Sequence, residues 1–177
     1  FLWLPYAVSR YVAAIGDTGV LDESISFLEG RPVNADEESY YDLPTRSLDR
    51  ASLYEHCVRA INNANKLGEH GLPLRGTGDW NDGMNLVGDE GKGESVWLAF
   101  FLYDVLIKFA DLARGRADEA FADTCVARAA ELRANIEAHA WDGAWYRRAY
   151  FDDGAPLGSA TSPECQIDSL PQSWAIL

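Results

Sequence analysis

Gly76-Thr77-Gly78-Asp79-Trp80-Asn81-Asp82-Gly83-Met84-Asn85 lies within residues 68–93, a segment with eight glycines and little periodicity. Its ten residues bring together two carboxylates, two carboxamides, an indole and three glycines. Helical patterns run on both sides, so the segment reads as a polar loop carried by an apolar helical scaffold. A loop of this length in a compact domain is usually functional or disordered. Leu72, Leu74, Trp80, Met84 and Leu86 favour burial and argue against disorder, and functional residues gather on loops of this kind.

Working outward, Pro5 suits a first helical turn, and Tyr6, Val8, Tyr11, Val12 and Ile15 follow at helical spacing up to Gly16. Val20, Leu21, Ile25 and Leu28 predict a second helix over 18–28. Residues 30–45 read as a loop with a solvated charge cluster, Asp36-Glu37-Glu38. Ser47 is the expected N-cap of a helix reaching residue 67, closed by Gly68. Beyond the central loop, a helix is expected from Glu94 through residue 112 and another over 117–140. Trp141-Asp142-Gly143 and Asp152-Asp153-Gly154 read as turns around a short extended segment, 145–151. Pro171 is expected to open a last helix. Such helix pairs fit an α/α hairpin bundle, a solenoid or part of an α/α toroid.

The chain has 177 residues, 47% apolar and 24% charged, which allows one domain with a sizeable core. Its net charge of −13 argues against nucleic acid and anionic lipid as partners. No apolar run approaches the roughly 18 residues of a transmembrane helix. Cys57, Cys125 and Cys165 are odd in number and widely spaced, so buried free thiols of a cytoplasmic protein are expected rather than a disulfide or a zinc site. Both ends read as cut through structured material, and a piece of a larger protein is expected. The six tryptophans suit either core packing or stacking on sugar rings.

Asp79 and Asp82 stand three residues apart. Two carboxyl groups flanking a glycosidic bond can act as acid and base, and an acid must hold its proton near neutral pH, which desolvation or a neighbouring negative charge achieves. Trp80 could supply the apolar wall. Aspartate is equally the common residue of turn caps, and spacing alone does not choose. An EF-hand register from Asp79 to Glu90 fails at Gly83, which has no side-chain oxygen, and at Met84, where the turn needs glycine. His56, His70 and His139 lie in no serine or cysteine nucleophile motif, and no dinucleotide or Walker pattern is present.

Gly71-Leu72-Pro73-Leu74 with Gly78-Asp79-Trp80-Asn81-Asp82-Gly83-Met84-Asn85 resembles the catalytic segment of the family 94 glycoside phosphorylases. Gly93-Glu94-Ser95-Val96-Trp97, Trp141-Asp142-Gly143-Ala144-Trp145-Tyr146-Arg147-Arg148, Gln172-Ser173-Trp174 and Phe1-Leu2-Trp3-Leu4-Pro5-Tyr6 extend the likeness in order along the chain. The wording is most similar to the phosphorylase-like module of the cyclic β-1,2-glucan synthases.

The resemblance implies an all-α fold, a partial (α/α)6 toroid of helical hairpins with long loops at one end and at most a short β-hairpin. Residues 1–177 would be a fragment of that single catalytic domain, truncated at both ends. It implies inverting phosphorolysis of a β-glucan, with inorganic phosphate as co-substrate and no cofactor or metal. Asp82 resembles the general acid, Trp80 a sugar-contacting residue, and Asp79 a support for the loop or for a substrate hydroxyl. Gln172 and Trp174 resemble further sugar contacts. Implied partners are a β-glucan oligosaccharide or polysaccharide, phosphate and the remaining domains of the parent chain, with a homodimer among the assemblies allowed. The parent would be cytoplasmic or held at the inner membrane by other domains, and the fragment alone inactive. An inverting hydrolase on the same fold and a non-catalytic carbohydrate-binding piece are the alternatives.

Overall fold

The computed structural model describes residues 1–34, 37 and 40–177. Asp36 and Glu38 of the expected charge cluster lie outside the described residues. The architecture is that of a helical partial toroid fragment: α-helices joined alternately by short turns and long loops, with two small antiparallel sheets.

Helix α3 (Val96–Gly115) is the centre. Its buried residues, including Trp97, Phe101, Leu102, Val105, Leu106, Phe109 and Ala113, wrap around most of its circumference. One stripe stays open at Ile107, Asp111 and Arg114, so α3 is buried on all but one face. Helix α4 (Glu119–Asn135) folds back against it after a tight turn. Ala122, Cys125, Ala129 and Leu132, spaced three or four apart, form the buried stripe of α4, and its small side chains let the two helices approach closely. Asp118 caps α4 by accepting from the Phe121 amide at 3.1 Å. Its other carboxylate oxygen accepts from the Tyr54 hydroxyl at 2.8 Å, which ties α2 (Leu53–Ala64) to this turn. Helix α1 (Trp3–Ile15) packs on another side of α3 and ends at Gly16, left-handed at φ 76°, whose amide donates to the Val12 carbonyl.

One expected helix is replaced by a strand, and another is shortened at its start by a second strand. Residues 18–28 form a single 3-10 turn (Gly19–Asp22) and then strand β1 (Ser24–Glu29). Ser47, expected as an N-cap, lies inside β2 (Thr45–Ser52) and bonds to Glu29 across the pair. Arg50 explains the preference: its guanidinium donates to the Ser24 and Ser26 hydroxyls and to the Ser24 carbonyl of β1. Cross-strand pairs of this kind stabilise a two-stranded sheet. The true cap of α2 is Ser52, which accepts from the Glu55 amide at 3.2 Å. Phe27 of β1 stacks on His56 with ring centres 3.9 Å apart and folds the hairpin onto α2.

Helix α3 starts two residues later than expected because Glu94 and Ser95 form strand β3. β3 pairs with β4 (Ala149–Tyr150), which pairs with β5 (Pro156–Leu157). The expected extended segment is therefore present only at its end. α4 continues as a π-helical turn over Ile136–Ala140, and the last helix, α5 (Ser169–Trp174), is capped by Asp168 rather than begun by Pro171.

Burial pushes the Cys57 and Cys125 thiols up to about 12 and about 11, so both stay protonated. Cys165 differs from the expectation of burial and is exposed. Among the described residues no helix is long and apolar enough to cross a membrane.

Candidate active site

The central loop leaves the fold through a paired stem. Leu74 bridges Glu94, the Arg75 amide donates to the Gly93 carbonyl at 3.0 Å, and the Ser95 amide donates to the Pro73 carbonyl at 2.9 Å. The stem closes tightly at Gly93. A Cβ there would lie 2.5 Å from the Val87 carbonyl oxygen and 2.7 Å from the Gly88 Cα, so no side chain fits. The three-stranded sheet then brings residues 145–158 beside the loop, although they are some sixty positions away in the chain. Asp152, in the turn between β4 and β5, accepts from the amides of Glu90, Lys92 and Gly93 at 2.7–3.0 Å. Burial works against its charged form, but these three donors outweigh it and hold the carboxyl below the usual aspartate value.

Asp79 and Asp82 meet opposite environments. The Asp79 side chain is 2% exposed. Its Oδ1 accepts from Arg148 and from the Asn81 amide, and its Oδ2 accepts from the Trp97 indole at 3.3 Å and lies 3.6 Å from Arg75. Burial alone would raise its pKa; the hydrogen bonds from Arg148 and Asn81 and the charges of Arg148 and Arg75 prevail and lower it. It is an ionised structural anchor. Asp82, three residues on, is exposed at the start of a 3-10 turn (Asp82–Val87) and forms no salt bridge among the described residues.

Trp80 is 56% exposed. Its ring stands 5.8 Å from Trp97 and 6.0 Å from Trp3, and Trp174 lies 5.6 Å from Trp97 and 6.3 Å from Trp3. The expected residues Trp80 and Trp174 thus join one aromatic cluster, with Phe101 at its base 4.6 Å from Trp3. Gln172 bonds to the backbone. Its Oε1 accepts from the Tyr146 amide at 2.9 Å, and its Nε2 donates to the Tyr146 and Asp168 carbonyls at 2.7 and 3.0 Å. All its polar atoms serve the backbone. The calcium-loop register is ruled out by the same geometry, since Asp79, its first ligand position, is occupied by arginine.

Trp3, Trp97 and Arg148 stand in the motifs quoted from the sequence, but neither they nor Arg75 had a role assigned there. Trp3 is 48% exposed beside Trp80. Arg148 carried a signal: adjacent residues of an extended segment face opposite sides, so either Arg147 or Arg148 had to point inward. Arg148 is the one, with a side chain 1% exposed. A second polar cluster lies behind the stem, where Glu94, also 2% exposed, accepts from the amides of His70 and Leu72 and pairs with the His70 ring at 2.5 Å. His70 stacks on Tyr150 with ring centres 3.8 Å apart. This cluster braces the stem from inside.

An exposed carboxyl and an exposed indole two residues apart, on a loop pinned from below, are both open to a ligand such as a carbohydrate. Comparison with known proteins points the same way. The chain is 41% identical over 177 residues to the cyclic beta-(1,2)-glucan synthase NdvB of Rhizobium meliloti, covering 99% of this chain and 6% of that protein. It is 35% identical over 178 residues to the solabiose phosphorylase of Paenibacillus borealis, covering 99% of this chain and 21% of the other. An N,N'-diacetylchitobiose phosphorylase of Vibrio proteolyticus is 30% identical over 179 residues, with 20% of its length covered. The chain therefore spans about a fifth of the two phosphorylases and 6% of the glucan synthase. The family profile "Glycosyl hydrolase 94 superfamily, catalytic domain" matches residues 1–177. The chain belongs to the glycosyl hydrolase 94 superfamily, whose catalytic-domain profile it matches along its whole length.

Proposed function

We propose that the parent protein cleaves a β-glucan by inverting phosphorolysis, with Asp82 as the general acid and Trp80 against the sugar. The carrying observation is the asymmetry of the two carboxylates: Asp82 is exposed, and Asp79 is buried and ion-paired. A hydrolase working by inversion needs a second carboxylate to activate water. Asp79, the other carboxylate of the stretch 76–85, is sequestered by Arg148 and Arg75. In phosphorolysis the phosphate is itself the nucleophile, and one acid suffices. It protonates the departing glycosidic oxygen while phosphate attacks the anomeric carbon from the opposite face. The relatives named as phosphorylases support phosphate as co-substrate, and the glucan synthase favours a β-1,2 linkage. Trp174, packed against Trp97, extends the aromatic wall, and Gln172 shapes the site through the backbone of Tyr146.

The test is to incubate the complete parent enzyme with β-1,2-glucan and phosphate and to assay glucose 1-phosphate. Product should form only with phosphate present and fall by about 10³-fold in Asp82→Asn, the usual scale for losing a general acid. Reducing sugar released without phosphate would identify a hydrolase instead. Sugar binding without turnover would identify a binding module.

A further inference from the structure

We infer that Arg148 is a positioning residue that sets the orientation of Asp82 by clamping both feet of the arch on which it stands. The inference rests on the reading of Asp82 as the acid, and the clamp itself is carried by contacts on the structure.

Asp82 lies between Asp79 and Met84. On the first foot, Arg148 Nη2 donates to Asp79 Oδ1. On the second, the same Nη2 lies 3.6 Å from the Met84 sulfur, and Arg75 Nη2 donates to the Met84 carbonyl at 2.6 Å. Arg75 Nη2 also lies 3.6 Å from Asp79 Oδ2. Two buried guanidinium groups therefore span the base of an arch whose top carries the exposed carboxyl.

The root of Arg148 is fixed. It immediately precedes β4, between neighbours: its amide donates to the Leu157 carbonyl at 2.8 Å and its carbonyl accepts from the Val96 amide at 3.3 Å. Gly158, at φ +74°, allows this approach, since a Cβ there would lie 2.8 Å from the Arg148 nitrogen. A third connection leads away from the loop. Arg148 Nε lies 3.3 Å from Asp168 Oδ2, an ion pair without hydrogen-bond geometry, and Asp168 caps α5, which carries Trp174. Arg148 thus fixes the loop of Asp82 and Trp80 relative to the start of α3 and to α5. Burying a guanidinium is costly unless it is paired, and several donors of Arg75 and Arg148 lack partners here. A surface arginine would hold the fold at less cost, so the arrangement points to a requirement for a rigid arch.

Lysine retains the charge but lacks the planar fork that reaches several partners at once. In the full-length parent enzyme, Arg148→Lys should lower kcat for glucose 1-phosphate release by about 10²-fold, the scale of a small misplacement of a reacting group. The KM for glucan should change less than about threefold, because ground-state binding is retained. Hydrogen exchange at amides 79–84 should accelerate by about tenfold or more, with α3 and α4 unchanged. Asp79→Asn cuts the clamp from the other side and should give the same pattern, and the double variant should be little worse than either single. Unchanged exchange at 79–84, or faster exchange with unaltered kcat, would overturn the proposal. So would loss of protection spreading through α3 and α4 in both variants. If the parent releases no glucose 1-phosphate at all, the phosphorolysis reading fails, and the exchange measurement still decides whether Arg148 holds the arch.

Discussion

Two long irregular connections in this chain are held in contrasting ways. Residues 76–92 are fastened by contacts from far along the chain, namely Arg148, Asp152 and the Trp97 indole. The Arg148–Asp79 pair among them is buried. The connection between β1 and β2, residues 30–44, relies among its described residues on local, exposed contacts. Arg31 donates to Glu37 at 2.6 and 3.0 Å, lies 3.6 Å from Asp42 and stacks over the Tyr40 ring at 4.0 Å. Exposed pairs add little because water and salt screen them and the side chains lose entropy in forming them. The same kinds of residue, arginine and acid, therefore do different things in the two loops. One is a built platform for two exposed side chains; the other is a surface crossing.

The sharpest way to break this contrast is to remove the charge at its centre. Asp79→Ala would remove the anion that the buried Arg148 and Arg75 share, leaving only Asp168 beside Arg148, which should cost about 3 kcal/mol in local stability. Hydrogen exchange over 76–92 should reveal that loss. A loop that keeps its protection would mean that Asp79 is not the anchor.

A smaller effect is expected from acid. Asp79, Asp152 and Asp142 are all held below the ordinary carboxylate value. Asp142 is held there, against the cost of its burial, by the Ala160 amide, Ser159 and Arg147. Depressed carboxyls stabilise the folded state fully above their unfolded value of about 3.9, and the contribution disappears as pH falls towards the lowered native value. Emission from Trp80 and Trp97, which flank Asp79, should therefore be constant from neutral pH to about 4 and shift below it. A transition centred well above that value would contradict these assignments.

The smallest effect belongs to the other loop. Arg31→Ala should leave the Tm of the protein unchanged within error, despite removing three side-chain hydrogen bonds and two ion pairs. A clear drop would show that the surface crossing carries more of the fold than its exposure suggests.

The contrast also accounts for what could be read from the sequence. Helices α1, α3 and α4 were legible because their apolar spacing, Gly16 and the central run from Val96 are local signals. Residues 18–28 were misread because Val20, Leu21, Ile25 and Leu28 fit a helical stripe, while the deciding interactions come from Arg50 on the partner strand. The site divides in the same way. Asp79 and Asp82 are chemically the same in the sequence. What separates them is Arg148, sixty-nine positions beyond Asp79. The amide of Gln172 is engaged by Tyr146, twenty-six positions before it, a partner that its place in the sequence does not reveal. Residue types and spacing located the loop; only tertiary contacts distinguish its anchor from its exposed acid.

The central claim, that Asp82 alone of this pair acts as the acid, is tested most directly by varying how much the leaving group needs a proton. The parent enzyme and its Asp82→Asn variant would be compared on β-1,2-glucan and on β-glucosyl fluoride, each with phosphate. Fluoride departs without full protonation, so the variant should lose about 10³-fold on glucan and less than about tenfold on the fluoride. Equal losses on both substrates, or no loss on glucan, would contradict the assignment.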